Sequence, residues 1–361
     1  MKVDGQHFQS IWYDERNQSV RCIDQTKLPH DFVIIELDSL DSACHAISSM
    51  QVRGAPLIGI TAAYGLYLAL KSDSTSYSNA RSALLKTRPT AVNLKWALDR
   101  MDAKCTGVDG EELAQIALTT ARDLEAQDRQ VCESIGENGA RVLKSLWESK
   151  GCAEPLNVLT HCNAGWLATV DWGTALAVVY KAHELGVLLH VWVDETRPRN
   201  QGASLTCWEL GKHGIPHTLI VDNVGGHLMQ HGQVDVCIVG SDRCTKTGDV
   251  CNKVGTYLKA LAAFDNAVPF YAALPISTID FTMADGIAEI PIEERSASEV
   301  THISGLVNSG LVETIRLTPA NVKVYNIGFD VTPARLVTGI ITEKGVYGAN
   351  ESELSCLDRE N

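Results

Sequence analysis

A chain of 361 residues exceeds one ordinary domain of roughly 100–200 residues, so two domains are expected. Apolar residues at 45% and charged residues at 21% exclude a disordered, collagenous or coiled-coil chain. Lys plus Arg number 31 against 44 Asp plus Glu, and the net charge of −13 argues against a broad grip on nucleic acid or an anionic membrane.

The 11 cysteines run from Cys22 to Cys356 with no C-x-x-C pair, so neither a zinc ribbon nor a thioredoxin-type motif is expected. The opening MKVDGQHFQS lacks the apolar core of a signal peptide. A reduced, cytoplasmic protein with mostly buried cysteines follows.

In chain order, a short mixed region precedes GAPLIGITAAYGLYLAL, Gly54 to Leu70. Its glycines and Thr61 dilute the hydrophobicity, so a buried core helix is expected rather than a membrane span. Gly54 and Pro56 fit a first turn with free backbone N–H groups, and Arg53 stands beside it: a plausible anion site. Ser72 to Asn79 is Ser/Thr-rich and reads as a loop. Ala91–Met101 and Glu111–Trp147 carry helical spacing. SKGCAEP, Ser149 to Pro155, is a breaker cluster that places a boundary between residues 1–150 and 151–361.

Beyond it the rhythm changes. LNVLT (156–160), VLLHVWV (187–193), HTLIV (217–221), VDVCIVG (234–240) and PFYAAL (269–274) read as strands. Helix-compatible segments separate them, at Thr174–Leu185, Ser204–Lys212 and Val254–Phe264. Alternation of this kind predicts an α/β fold with a parallel sheet. VKVYNIG (322–328) reads as a further strand.

Ligands of open α/β sheets sit beyond the carboxyl ends of the strands. Candidates there are His161–Gly165, Asp194–Pro198, Asp222-Asn223, Ser241-Asp242-Arg243, Pro275–Thr278 and Phe329-Asp330. One thiol, several carboxylates and two arginines thus converge, and a thiol near a carboxylate can form an acid–base pair. Dinucleotide, P-loop and nucleophile-elbow motifs are absent from the sequence. Cys244, Cys251 and His161 fit no standard zinc spacing, so no metal is expected. Adjacent residues on an extended segment face opposite ways, so His161 is not expected to be a base for Cys162, as a cysteine hydrolase would need.

THCNAG (160–165), DETRPRNQGASLT (194–206), GSDRCTKTGDVCNKVGT (240–256) and IPIEERSASEV (290–300) resemble the methylthioribose-1-phosphate isomerase family. VRGAPLIGI (52–60), RPTAVNL (88–94) and FDVTPARLVTGIITEKG (329–345) extend the likeness over nearly the whole chain. The wider superfamily includes regulatory subunits of a translation initiation factor's exchange complex. The resemblance implies a smaller mixed, largely helical N-terminal domain and a Rossmann-like C-terminal one. It also implies a cofactor-free homodimer that isomerises 5-methylthioribose 1-phosphate to 5-methylthioribulose 1-phosphate. It makes Cys162 and Asp242 catalytic, and gives substrate binding to Arg53, Gly54, Ala55, Arg88, Gln201, Asn252 and Lys253. Relatives acting on ribose 1,5-bisphosphate or 5-deoxyribose 1-phosphate, and a non-catalytic regulatory module, are the alternatives. Ser204, Trp166 and Ile327 depart from the family pattern, and the last two are expected to reshape the pocket around the 5-substituent.

Overall fold

A computed structural model describes residues 1–88 and 92–360. Pro89, Thr90 and Ala91, within the RPTAVNL segment, lie outside the described residues, as does the start of the helix expected from Ala91.

The chain opens on a hairpin (β1, Lys2–Val3; β2, Gln6–His7) and an antiparallel sheet of β3 (Ile11–Asp14), β4 (Ser19–Ile23) and β5 (Ile34–Leu37). Helix α1 (Leu40–Ser48) follows, with Ser39 and Ser42 each capping the other's backbone N–H. Helix α2 (Ala55–Ser72) takes the expected apolar run, and every residue from Leu57 to Leu70 is buried. It is apolar all round because α1, α3 (Tyr77–Thr87), α4 (Val92–Cys105) and α5 (Gly110–Ser149) pack against it. Among the described residues no helix is long and apolar enough to cross a membrane. Helix α3 starts inside the segment expected to be a loop. Its polar sequence hides two inward residues, Ala80 and Leu84, whose burial outweighs weak propensity.

The 40-residue α5, about 60 Å long, joins the two parts. Its first half enters the core around α2 through Leu113, Leu118 and Leu124, and its second half packs Ile135 and Leu143 onto the C-terminal sheet. The expected 149–155 boundary falls on the turn between α5 and β6 (Leu156–Thr160).

From β6 the chain runs through α6 (Ala175–Glu184), β7 (Leu189–Asp194), α7 (Cys207–Lys212), β8 (His217–Ile220), α8 (Val224–Gln230) and β9 (Val236–Val239). A hairpin of β10 (Arg243–Thr245) and β11 (Val250–Lys253), helix α9 (Thr256–Asp265) and β12 (Phe270–Ala273) follow. Then come β13 (Ile279–Asp280), a further hairpin of β14 (His302–Leu306) and β15 (Val312–Arg316), and β16 (Phe329–Thr332), β17 (Gly339–Thr342) and β18 (Gly345–Tyr347). The main sheet has the order β18-β17-β12-β9-β6-β7-β8. All its neighbours are parallel except the antiparallel edge strand β18. The chain winds outward from β6 to β8, then returns to β9 and winds the other way. The reversal lies between β6 and β9, where Rossmann-like sheets bind ligands.

One expected strand is corrected. VKVYNIG forms none; its first residues are mostly exposed, and only Ile327 makes a bridge, to Glu294. A β-branched alternation has no ladder to join there, and the sixth parallel strand is Gly339–Thr342. The segment expected as a helix from Ser204 begins as a π-helical turn, Gly202–Thr206, before α7. A separate four-stranded sheet, β13-β10-β11-β16, flanks the main one and carries Asn252 and Lys253 opposite Asp330 and Phe329.

Candidate active site

The segments leaving β6 and β9 face one open cleft. All nine residues named from the sequence line it: Arg53, Gly54, Ala55, Arg88, Cys162, Gln201, Asp242, Asn252 and Lys253. Arg53, Gly54 and Ala55 come from the start of α2, and Arg88 from the end of α3.

Cys162 has a left-handed backbone, φ 67°. That conformation costs a β-carbon-bearing residue about 1–2 kcal/mol, so something must hold it. Its N–H donates to Thr196 Oγ1 at 2.8 Å, and its carbonyl accepts from Thr206 Oγ1 at 2.7 Å. The thiol, buried, donates to Gln201 Oε1 at 3.3 Å. The neighbouring His161 ring points elsewhere, to Asp194 Oδ2 at 2.8 Å and to the Val254 carbonyl at 2.9 Å. The cysteine–histidine pair of a hydrolase is therefore not assembled.

Asp242 is set against β11, its N–H donating to the Cys251 carbonyl at 2.9 Å. Burial pushes its carboxyl up, while Lys253, Arg88 and Arg53 pull it back and Glu293 adds to the rise. Burial pulls Lys253 down, opposed by the charges of Cys162 and Asp242. The Lys253 ammonium donates to the Gly328 carbonyl at 2.8 Å and lies 4.8 Å from the Phe329 ring centre. Arg88 holds Glu293 through Nη2 at 3.1 Å, leaving its buried Nε unpartnered. Arg53 donates from Nη1 to Asn163 Oδ1 at 2.5 Å and from Nη2 to the Asn163 carbonyl at 2.7 Å. Three cations thus face one acid and one thiol.

The α2 start behaves as the sequence suggested. Gly54 caps it at φ 89° and offers no side-chain cap to the first N–H groups, and Pro56 lies in the first turn. A β-carbon on Gly54 would come 2.3 Å from the Ala168 carbonyl oxygen, so only glycine brings the helix this close.

Other expected residues lie elsewhere. The Arg197 guanidinium goes to the carbonyls of Pro198 and Val300, while Arg243 lines an adjoining pocket that shares Arg88 and Asp242 with the cleft, whose own arginines are Arg53 and Arg88. Asp222 anchors the loop behind Cys162 by accepting from the N–H groups of Thr196 and Arg197. Trp166 is fully buried beside Trp208, Ile327 bridges Glu294, and Ser204 bonds the Asn200 carbonyl. None of the three lines the cleft, which corrects the expectation that Trp166 and Ile327 shape the pocket.

Potential ligand atoms of His161, Asp194 and Asp222 lie within 4.8 Å of one another. The Lys259 ammonium already sits 3.1 Å from Asp194 Oδ2, so this cluster has its own cation and does not suit a metal. Cys244 and Cys251 are buried in β10 and β11, where burial pushes both thiols up, and His161 is committed to Asp194.

Sequence reasoning missed Glu209. It is fully buried and accepts from Asn163 Nδ2, the Trp166 and Leu167 N–H groups and the Tyr180 hydroxyl, at 2.9–3.1 Å. Nothing in CWELGK distinguishes it from a solvated helix charge. Glu293 stood in a quoted motif, but its ion pair with Arg88 spans 205 residues and needs the fold.

A family model described as the initiation factor 2 subunit family matches residues 51–349. A methylthioribose-1-phosphate isomerase of Methylorubrum populi is 59% identical over 99% of this chain and 98% of its own length. One from Escherichia coli is 53% identical over 98% and 96%. The crystal structure of 5-methylthioribose 1-phosphate isomerase from Pyrococcus horikoshii is 38% identical, with a TM-score of 0.84 over 99% of this chain and 97% of that one. An Archaeoglobus fulgidus structure described as the delta subunit of initiation factor eIF-2B is also 38% identical, with a TM-score of 0.80 over 98% and 100%. The two structures do not separate enzyme from initiation factor, but the relatives above 50% do. The chain belongs to the methylthioribose-1-phosphate isomerases of the initiation factor 2 subunit family.

Proposed function

We propose that the protein is an aldose–ketose isomerase that converts 5-methylthioribose 1-phosphate to 5-methylthioribulose 1-phosphate in methionine salvage. One observation carries the reading: a raised carboxyl and a thiol share a cleft at the sheet's switch point with three cations. The substrate ring is closed at C1 by a phosphate and cannot open unaided. Asp242 gives its proton to the ring oxygen as the C1–O bond breaks with its electron pair on oxygen. The electron-deficient C1 then receives hydrogen from C2. In one route Cys162, its own proton first released to solvent, takes the C2 proton as thiolate, the pair forms a C1=C2 enediol, and the proton returns to C1. In the other, hydride passes directly from C2 to C1 with Cys162 steadying the charge. Either way the C2 hydroxyl becomes a carbonyl, and its proton restores Asp242. Arg53, Arg88, Lys253 and the α2 start hold the phosphate.

Turnover on 5-methylthio-, 5-deoxy- and 5-phospho-ribose 1-phosphate tests the substrate; preference for the phospho tail would contradict it. Substrate deuterated at C2 separates the routes: loss of label to water marks the enediol, retention the hydride shift. The same assay in a chelator tests the proposal that no metal or other cofactor is required. The protein is further proposed to be a cytoplasmic homodimer. Leu258 and Phe264 on α9, 62% and 67% exposed, offer apolar surface for a second copy. Sedimentation measures this, and a monomer at assay concentration would oppose it.

A further inference from the structure

Arg53 is buried and must present its guanidinium in one orientation, yet its partner in the protein, Asn163, has a side-chain amide that can be flipped. The structure shows what prevents the flip. Asn163 Nδ2 donates to Glu209 Oε1 at 2.9 Å and to Thr206 Oγ1 at 3.1 Å. The Thr206 hydroxyl proton is committed to the Cys162 carbonyl at 2.7 Å, so towards Asn163 this oxygen only accepts. With its NH₂ group drawn to two acceptors, Asn163 turns Oδ1 to Arg53. Glu209 in turn faces donors on every side: Asn163 Nδ2 and the Leu167 N–H on Oε1, the Trp166 N–H and the Tyr180 hydroxyl on Oε2. Four donors fill the four acceptor sites of an ionised carboxylate and leave no room for a proton. The chain is packed to fit this group. A β-carbon on Gly165 would come 1.9 Å from Glu209 Oε2.

We infer that Glu209 is a positioning residue for substrate binding, orienting Arg53 towards the phosphate through the Asn163 amide. This rests on the reading that Arg53 holds the phosphate. It extends the site by a carboxylate that never touches substrate. Its charge also accompanies the buried Arg53 cation, since Glu209 is among the anions that sustain Arg53 against burial.

The test is a double-mutant cycle on the purified full chain, read as KM and kcat separately, with urea midpoints as the check on folding. Glu209→Gln puts an NH₂ group among the four donors. It is expected to raise KM by about tenfold, the scale of one charge-assisted hydrogen bond, with a smaller change in kcat. In an Arg53→Lys background, where the fork that grips Asn163 is gone, it is expected to add almost nothing. Tyr180→Phe removes a donor from the far oxygen of Glu209; it should lower the urea midpoint and leave KM unchanged. If Glu209→Gln does not fold, Thr206→Val removes the second acceptor of the Asn163 amide and carries the same KM prediction. An unchanged KM, or effects of Glu209 and Arg53 that multiply in full, overturns the inference alone. An Arg53→Lys variant with wild-type KM overturns the phosphate role of Arg53, and the inference with it.

Discussion

Burial works in opposite directions on the charges that meet in the cleft. It pushes the Asp242 carboxyl up and pulls Lys253 down, while their attraction opposes both shifts. Asp242 can therefore hold a proton for a ring oxygen without the cations ceasing to hold a phosphate. Asp242→Asn and Cys162→Ser should each lower turnover by at least about 100-fold while cooperative urea unfolding shows that the chain still folds. Near-normal turnover in either variant would remove that residue from its role. Lys253 is the largest influence holding the Asp242 carboxyl down. Lys253→Met should therefore move the alkaline limb of the kcat–pH profile to higher pH, besides raising KM; a limb that stays in place would mean another group supplies the proton. At this scale the sequence was highly legible, because short motifs such as HCNAG, SDR and NK carry the cleft residues themselves. The supports were not. Glu209 and Glu293 act across tens to hundreds of residues, and no local pattern marks a carboxylate whose partners come from other elements.

The strands of the main sheet were legible where burial on both faces leaves an uninterrupted apolar run, as in LNVLT and VDVCIVG. VKVYNIG has a similar composition and fails as a strand because its alternation buries no apolar face: Val322 and Tyr325 stay exposed. Helix α3 was hidden for the converse reason, since its buried face is only Ala80 and Leu84 within a polar stretch. Helix α2 shows how an element serves the site. Its all-round burial fixes its axis, and Gly54 sets how closely its start approaches the segment after Trp166. Gly54→Ala would force a β-carbon against the Ala168 carbonyl and a left-handed backbone at once. The expected result is a loss of about 2–4 kcal/mol in stability and a raised KM, because the whole helix start must retreat from the phosphate. Urea denaturation and steady-state kinetics on one sample measure both. A variant with lower stability but wild-type KM would show that the helix start takes no part in holding substrate.

An acidic molecule that binds a phosphate anion must concentrate its few cations, and it sets Arg53, Arg88 and Lys253 around the buried Asp242. Among the described residues Glu125, Asp128, Glu209, Asp242 and Asp330 all have raised carboxyls, each chiefly through burial; Asp128 is pushed up to about 7 and Glu209 to about 6. A carboxyl raised by folding stabilises the native state fully below its unfolded value and ceases to do so as pH rises through its folded value. Repulsion at a net charge of −13 has the same sign, since it too grows with pH. His190 and His213, and the N-terminal ammonium, all pulled down by burial, work the other way, the histidines below about 6.5 and the ammonium below about 8. Glu299, held down to about 2 beside Arg295 and Arg199, titrates outside this window. The native state is therefore expected to be more resistant to urea at pH 5 than at pH 7.5. Glu209 isolates the effect, because it faces Tyr180, Arg53, the N-terminal ammonium and, at its own carbonyl, His213. A rise from its ordinary value to about 6 corresponds to about 2 kcal/mol in full, of which about 1 kcal/mol falls between pH 5 and pH 7.5. Glu209→Gln, which cannot titrate, should lose that share of the difference between the two pH values. If the variant keeps the full difference, the charge on Glu209 is not what the protein bears at neutral pH, and the ionised acceptor set around it would have to be abandoned.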